Sequence, residues 1–128
     1  MTLRQILLIT ITAMAILFTT DCGAEGAPDD YVVNPDQHNN AIKARIDAGA
    51  LVLDVRTPGE YQSGHYPNAK LIPIDELQQR LPEIETYKNK TVITYCASGY
   101  RSRFAKEILS KAGFKDVING GGLHQMPR

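Results

Sequence analysis

Cysteine is scarce in this chain. The 128 residues hold only Cys22 and Cys96, which excludes a disulfide-stapled framework. An excess of either charge is also absent, since Lys+Arg and Asp+Glu number 14 each. That balance excludes the basic footprint that nucleic acid or an anionic membrane surface would call for. No apolar run reaches the about 20 residues needed to cross a bilayer; the longest, Ile6 to Phe18, is too short. Repeats, heptads and low-complexity tracts are missing, so solenoids and coiled coils drop out. His38 and His124 are scattered, without cysteine or carboxylate partners at ligand spacing, and no metal site is expected.

The short apolar run has a meaning of its own. It follows Arg4 and precedes small residues, the pattern of a secretory signal peptide over residues 1–24. Cleavage is expected after Ala24, with Cys22 and Ala24 at the two small-residue positions before the bond. A rival reading lipidates Cys22, but Thr19-Thr20-Asp21 is a poor lead for that modification, Asp21 above all. Export is therefore expected, to the periplasm of a two-membrane bacterium, with no stable membrane association after cleavage. Residues 25–33 read as a polar arm and residues 34–128 as a single domain. Arg4 and Asp21 leave with the signal, so the exported part carries 13 charges of each sign and stays neutral. Either fate of Cys22 leaves Cys96 as the sole thiol. It is then an inert core residue or a reactive one.

Along the domain, Asn34-Pro35 predicts a helix start, with Asn as N-cap and Pro at the first position. Ala41, Ile42, Ala44 and Ile46 give it a weak apolar face, and Gly49 is its stop. "ALVLDV" (50–55) predicts a strand ending at a carboxylate, and Thr57-Pro58 a short helix. "KLIPI" (70–74) predicts a second strand cut off by Pro73, followed by a helix that Asp75 caps. "TVITY" (91–95) is β-branched and aromatic, the best strand in the chain. Phe104, Ala105, Ile108, Leu109 and Ala112 form one stripe of a helix over 102–112, stopped by Gly113. "KDVI" (115–118) predicts the last strand. Apolar strands alternating with helices imply an α/β fold, a mostly parallel sheet with helices on both faces. In such sheets reactive groups gather at the carboxyl ends of strands, where Cys96 and Asp54 both fall.

The stretch "YCASGYRS" (95–102) puts the thiol between a strand and a helix. Only the thiolate attacks, and a helix N-terminus lowers a cysteine's pKa. Gly99 lets the loop curl so that its N–H groups point inward, a nest for an anion. Ala97 and Ser98 keep the mouth narrow without blocking it. Arg101 adds a fixed charge and a fork of donors, and Ser102 is placed to cap the helix. The pattern fits a sulfur nucleophile better than a core cysteine.

"CASGYRS" resembles the C-x-x-G-x-R-[ST] loop of the rhodanese family. "LVLDVRTPGEYQSGHYPNAKLIPIDEL" (51–77) resembles that family's first signature, and "GFKDVINGGGLHQM" (113–126) its closing segment. The likeness runs from about Asn34 to Met126 and is strongest to single-domain, exported members of the phage-shock-protein E type. It implies a rhodanese-like domain with thiosulfate sulfurtransferase activity. Cys96 would be the nucleophile and persulfide carrier. The amides of Ala97, Ser98, Gly99, Tyr100 and Arg101 would cradle the transferred sulfur, with the Arg101 side chain orienting the anion and Ser102 facing the loop. The implied partners are a small-molecule sulfur donor and a thiophilic acceptor such as cyanide, with no cofactor, no nucleic acid and no need for more than a monomer. Phosphatases and arsenate reductases of similar fold carry one residue more between Cys and Arg; here Ala97 to Tyr100 make a shorter ring. A third class, a rhodanese-like domain used only for binding, usually lacks the cysteine.

Several other residues have two readings. Asp54 and Arg56 are expected to pair with each other or with nearby backbone and so fix the loop. Glu60 has the chemistry of a base. The vertebrate two-domain enzymes carry an arginine there, which makes this mouth less positive. His65 is read as a structural hydrogen-bonding residue. Glycines 120–122 are expected to let backbones approach, and Met126, where many relatives have tryptophan, to alter packing alone.

Overall fold

A computed structural model describes residues 34–128. The expected signal peptide and arm lie outside the described residues. Helix α1 spans Pro35–Asp47; the Asn34 carboxamide accepts the Asp36 N–H at 3.0 Å, and Pro35 opens the first turn. The chain leaves through Gly49 at φ +96°, a left-handed conformation that costs glycine nothing. Only Ile42 of α1 is buried, with Ile46 partly covered; Ala41 and Ala44 face water. The apolar face is thus narrower than the sequence implied.

Four parallel strands follow in the spatial order β2-β1-β3-β4. They are β1 (Leu51–Asp54), β2 (Lys70–Leu71), β3 (Thr91–Cys96) and β4 (Asp116–Gly122). Both faces of β1 and β3 are covered, which is why these strands read as continuous rather than alternating apolar runs. Leu51, Leu53, Val92 and Cys96 point to one side, where Leu77, Ala105 and Leu109 meet them. Val52, Ile93 and Tyr95 point to the other, against Ile42, Ala69 and Met126. Each fully buried aliphatic side chain contributes on the order of 1.5–3 kcal/mol. The α/β class and the parallel, doubly covered sheet agree with the sequence.

Several local expectations need correction. Asp75 caps nothing: it lies in a turn, and helix α3 (Leu77–Arg80) begins after Glu76 with no side-chain cap. After one turn α3 passes into a 3-10 segment, Leu81–Tyr87, because Pro82 has no N–H to continue the α ladder. Helix α2 (Pro58–Gln62) does start as read, with a reciprocal capping box between Thr57 and Glu60.

Helix α4 runs Tyr100–Lys111, starting two residues earlier than expected, so Ser102 is its third residue and not its cap. Gly99, at φ +93°, makes the entry without a side chain. Phe104 leaves the expected core stripe: it is 43% exposed and lies edge-on to the Tyr100 ring, with centroids 5.0 Å apart. Finally, glycines 120–122 lie inside β4, which continues four residues past Ile118. Opposite them the register slips, pairing Thr94 with Asn119 but Cys96 with Gly122. A Cβ on Gly122 would collide with the Ala97 carbonyl oxygen, and one on Gly120 would sit 2.6 Å from the Met126 sulfur.

Candidate active site

Cys96 is the last residue of β3 and is fully buried on the α4 side of the sheet. The chain then turns through Ala97, Ser98 and Gly99 into α4. The Gly99 N–H points back onto the Cys96 Sγ at 3.0 Å, and the left-handed turn at Gly99 then leads the chain into α4. Burial pushes the Cys96 thiol up. The N–H groups of Ser102 and Ser98, the Ser102 hydroxyl and the Gly99 N–H outweigh it, and the pKa ends below the usual thiol value. Ala97 and Ser98 are exposed, so the sulfur forms the floor of a loop whose rim is open. Such a site favours an anion on sulfur.

Ser102 and Asn119 fix the far side of the loop. The Ser102 hydroxyl lies 2.7 Å from Asn119 Oδ1 and 3.0 Å from the Gly99 carbonyl oxygen. Asn119 Oδ1 also accepts the Gly121 N–H at 3.0 Å, while Asn119 Nδ2 donates to the Gly99 carbonyl at 3.4 Å. Thr94, one layer below, donates to the Ser102 carbonyl at 3.0 Å. Sequence reasoning missed Asn119. Its one visible signal was an amide residue directly ahead of three glycines.

Arg101 lies at the mouth and does not stand free. Its two terminal nitrogens donate to Glu60, NH1 to Oε2 at 2.8 Å and NH2 to Oε1 at 2.7 Å. Glu60 Oε2 also accepts from the Thr57 N–H and hydroxyl, both at 3.0 Å, so the carboxylate is held from two directions. The Arg101 guanidinium, then the Thr57 N–H, hold the Glu60 carboxyl down to about 2. Arg101 is raised in turn, by Glu60 first and by the nearby Cys96 sulfur in smaller part. The sequence offered Glu60 as a base; in place it is an ionised partner of Arg101.

Asp54 and Arg56 sit behind the strand ends, both buried. Arg56 Nε and NH2 donate to Asp54, the shortest contact being 2.7 Å, and NH2 also donates to the Gly64 carbonyl at 2.8 Å. The Tyr95 hydroxyl donates to Asp54 Oδ2 at 2.6 Å and accepts the Tyr66 N–H at 3.0 Å. Burial, then Asp54, push the Tyr95 phenol up, so it remains a donor. Among the described residues no buried side-chain nitrogen or oxygen lacks a partner. This network ties segment 57–66, which carries Glu60, to the strand that ends at Cys96. His65 stacks on Tyr61 at 3.7 Å, with Nδ1 2.9 Å from the Tyr61 carbonyl. His38 lines a cleft of about 310 Å³ with Asn119 and Gly121. His65 and His124 share another, of about 340 Å³.

Residues 38–124 match the family model described as a rhodanese-like domain. The chain belongs to the rhodanese family. Among rhodanese relatives, it is 45% identical over 71 residues to the thiosulfate sulfurtransferase PspE of Escherichia coli (strain K12), covering 56% of this chain and 68% of that protein. It is 36% identical over 105 residues to the tRNA uridine(34) hydroxylase of Enterobacter sp. (strain 638), covering 73% of this chain but only 30% of that protein. Among solved structures, a rhodanese with anions from E. coli superposes with a TM-score of 0.58 at 42% identity, covering 62% of this chain and 95% of the other. The rhodanese assignment agrees with the resemblance carried by the three motifs.

Proposed function

We propose that this rhodanese domain is a sulfurtransferase that moves a sulfane sulfur from thiosulfate to a thiophilic acceptor such as cyanide. The Cys96 thiolate attacks the outer sulfur of thiosulfate. The new S–S bond forms as the old one breaks, and sulfite leaves with the bonding pair. The persulfide on Cys96 then yields its outer sulfur to cyanide, giving thiocyanate and restoring the thiolate. Both halves balance without a metal or an external electron carrier, the pattern of covalent ping-pong catalysis. Amides from Ala97 to Arg101 cradle the transferred sulfur and replace water around its charge. Asp54, Arg56 and His65 act at a distance by holding the segment that faces the loop.

One contact carries this reading: the Gly99 N–H aimed at Cys96 Sγ over 3.0 Å, at the start of a 12-residue helix. Residues 1–24 are proposed to direct export to the periplasm and residues 25–33 to form an arm, and the working domain, 34–128, is proposed to act there as a monomer. The test is intact-mass spectrometry after mixing with thiosulfate. One added sulfur, removed by cyanide and absent from Cys96→Ser, is expected; no adduct on the wild type would overturn the reading. An aryl phosphate should not be turned over.

A further inference from the structure

We propose that Glu60 sets the charge class of the sulfur donor, so that the site takes monoanionic sulfane donors in preference to dianions such as thiosulfate. The inference rests on the sulfurtransferase reading and refines its substrate. Arg101 is the cation beside the sulfur, and both of its terminal nitrogens are occupied by Glu60. Among the described residues no other ion pair reaches either side chain. The pair stands at the mouth, with side chains 31% and 35% exposed, where an arriving donor meets it.

Glu60 is not a passing surface partner. Thr57 fixes the carboxylate through a reciprocal capping box, so little side-chain freedom is lost when it meets Arg101. A bidentate fork of this kind is the strong form of the Arg–carboxylate contact. The charges then sum simply. Thiolate, guanidinium and carboxylate leave the site at minus one, whereas thiolate and guanidinium alone would leave it neutral. Each negative charge on the donor meets that difference once, so a dianion meets it twice.

Methanethiosulfonate is a suitable probe because it replaces one thiosulfate oxygen by a methyl and carries one charge. Attack of Cys96 on its outer sulfur releases methanesulfinate and leaves the same persulfide, with charge and atoms conserved. Glu60→Gln keeps an amide oxygen for the Thr57 N–H while removing the charge. The kcat/KM ratio of thiosulfate to methanethiosulfonate should rise about tenfold in Glu60→Gln, mostly through KM, the size expected for one unit charge a few ångströms away in a partly wet site. An unchanged ratio would overturn the proposal and leave the sulfurtransferase reading intact.

A second measurement does not need turnover. The rates at which sulfonatoethyl and trimethylammonioethyl methanethiosulfonates convert Cys96 to a mixed disulfide, releasing methanesulfinate, report the field at the sulfur. These reagents differ by two unit charges, so the anionic-to-cationic rate ratio should rise about a hundredfold in Glu60→Gln, and no rise would also overturn the proposal. Absence of persulfide with both donors would instead sink the sulfurtransferase reading, and the donor preference with it.

Discussion

Gly99 donates its N–H to the Cys96 sulfur over 3.0 Å while its own backbone sits at φ +93°. One residue thus supplies both the donor to the sulfur and the left-handed turn that leads into α4. The residue behind it is close as well: a Cβ on Gly99 would lie 3.2 Å from the Gly121 Cα, a backbone atom that cannot rotate away.

Gly99→Ala therefore meets strain from two sources. The left-handed penalty alone is roughly 1–2 kcal/mol for a residue with a Cβ. The variant should unfold at lower urea, and its Cys96 thiol should titrate higher than in the wild type. Urea midpoints and the pH profile of iodoacetamide alkylation measure the two effects. A profile that does not move would mean the Gly99 amide leaves the thiolate unstabilised.

Asp54→Ala should be costly at a distance from the sulfur. It strands the Arg56 guanidinium and the Tyr95 hydroxyl in the interior, and breaking a buried pair in this way typically costs about 3–5 kcal/mol. In a domain of this size each kcal/mol is about 4–8 °C of melting temperature. Replacing both Asp54 and Arg56 by apolar residues should recover much of the loss. Thermal melts of the three proteins decide it; equal melting points would make the network ornamental.

Acid should loosen the mouth over a defined window. The Glu60 carboxyl is held down to about 2, below its ordinary value near 4.5, so the unfolded chain binds this proton first as pH falls. The pair's stabilisation is complete above pH 4.5 and drains away as pH drops toward 2. With the side chains about a third exposed, water screens the interaction, and the effect is at most about 1 kcal/mol. Stability curves of wild type and Glu60→Gln should differ above pH 4.5 and converge below it. A gap that stays constant to pH 2 would detach the stabilisation from the Glu60 charge.

What could be read from the sequence was local chemistry. Asn34-Pro35, Thr57-Pro58, Gly49 and Gly113 announce their caps and stops because each acts on backbone one turn away. The parallel sheet followed from apolar runs too continuous for a half-wet strand. The cysteine loop was legible because its spacing lies within seven residues. The Glu60–Arg101 pair was not, since 41 residues separate partners that could each have met another charge. Asn119 was hidden for a similar reason: its role exists only once β4 lies beside β3. The start of α4 was misplaced because Ser102 looked like a cap, whereas its hydroxyl is drawn inward by Asn119 and Gly99. Phe104 fitted the helical stripe by period, yet the edge contact with Tyr100 leaves it outside.

From Thr94 to Cys96 one strand takes two steps, while its neighbour takes three from Asn119 to Gly122. Strand side chains alternate sides, so odd against even is a change of parity. Asn119 pairs with Thr94 ahead of the slip and faces Ser102, and the uneven count then sets Gly122, rather than Gly121, opposite Cys96. The glycine triplet thus works as a gauge of length as well as of bulk. Losing any one of the three would leave two steps against two and erase the slip beside the sulfur, however small the residues that remained.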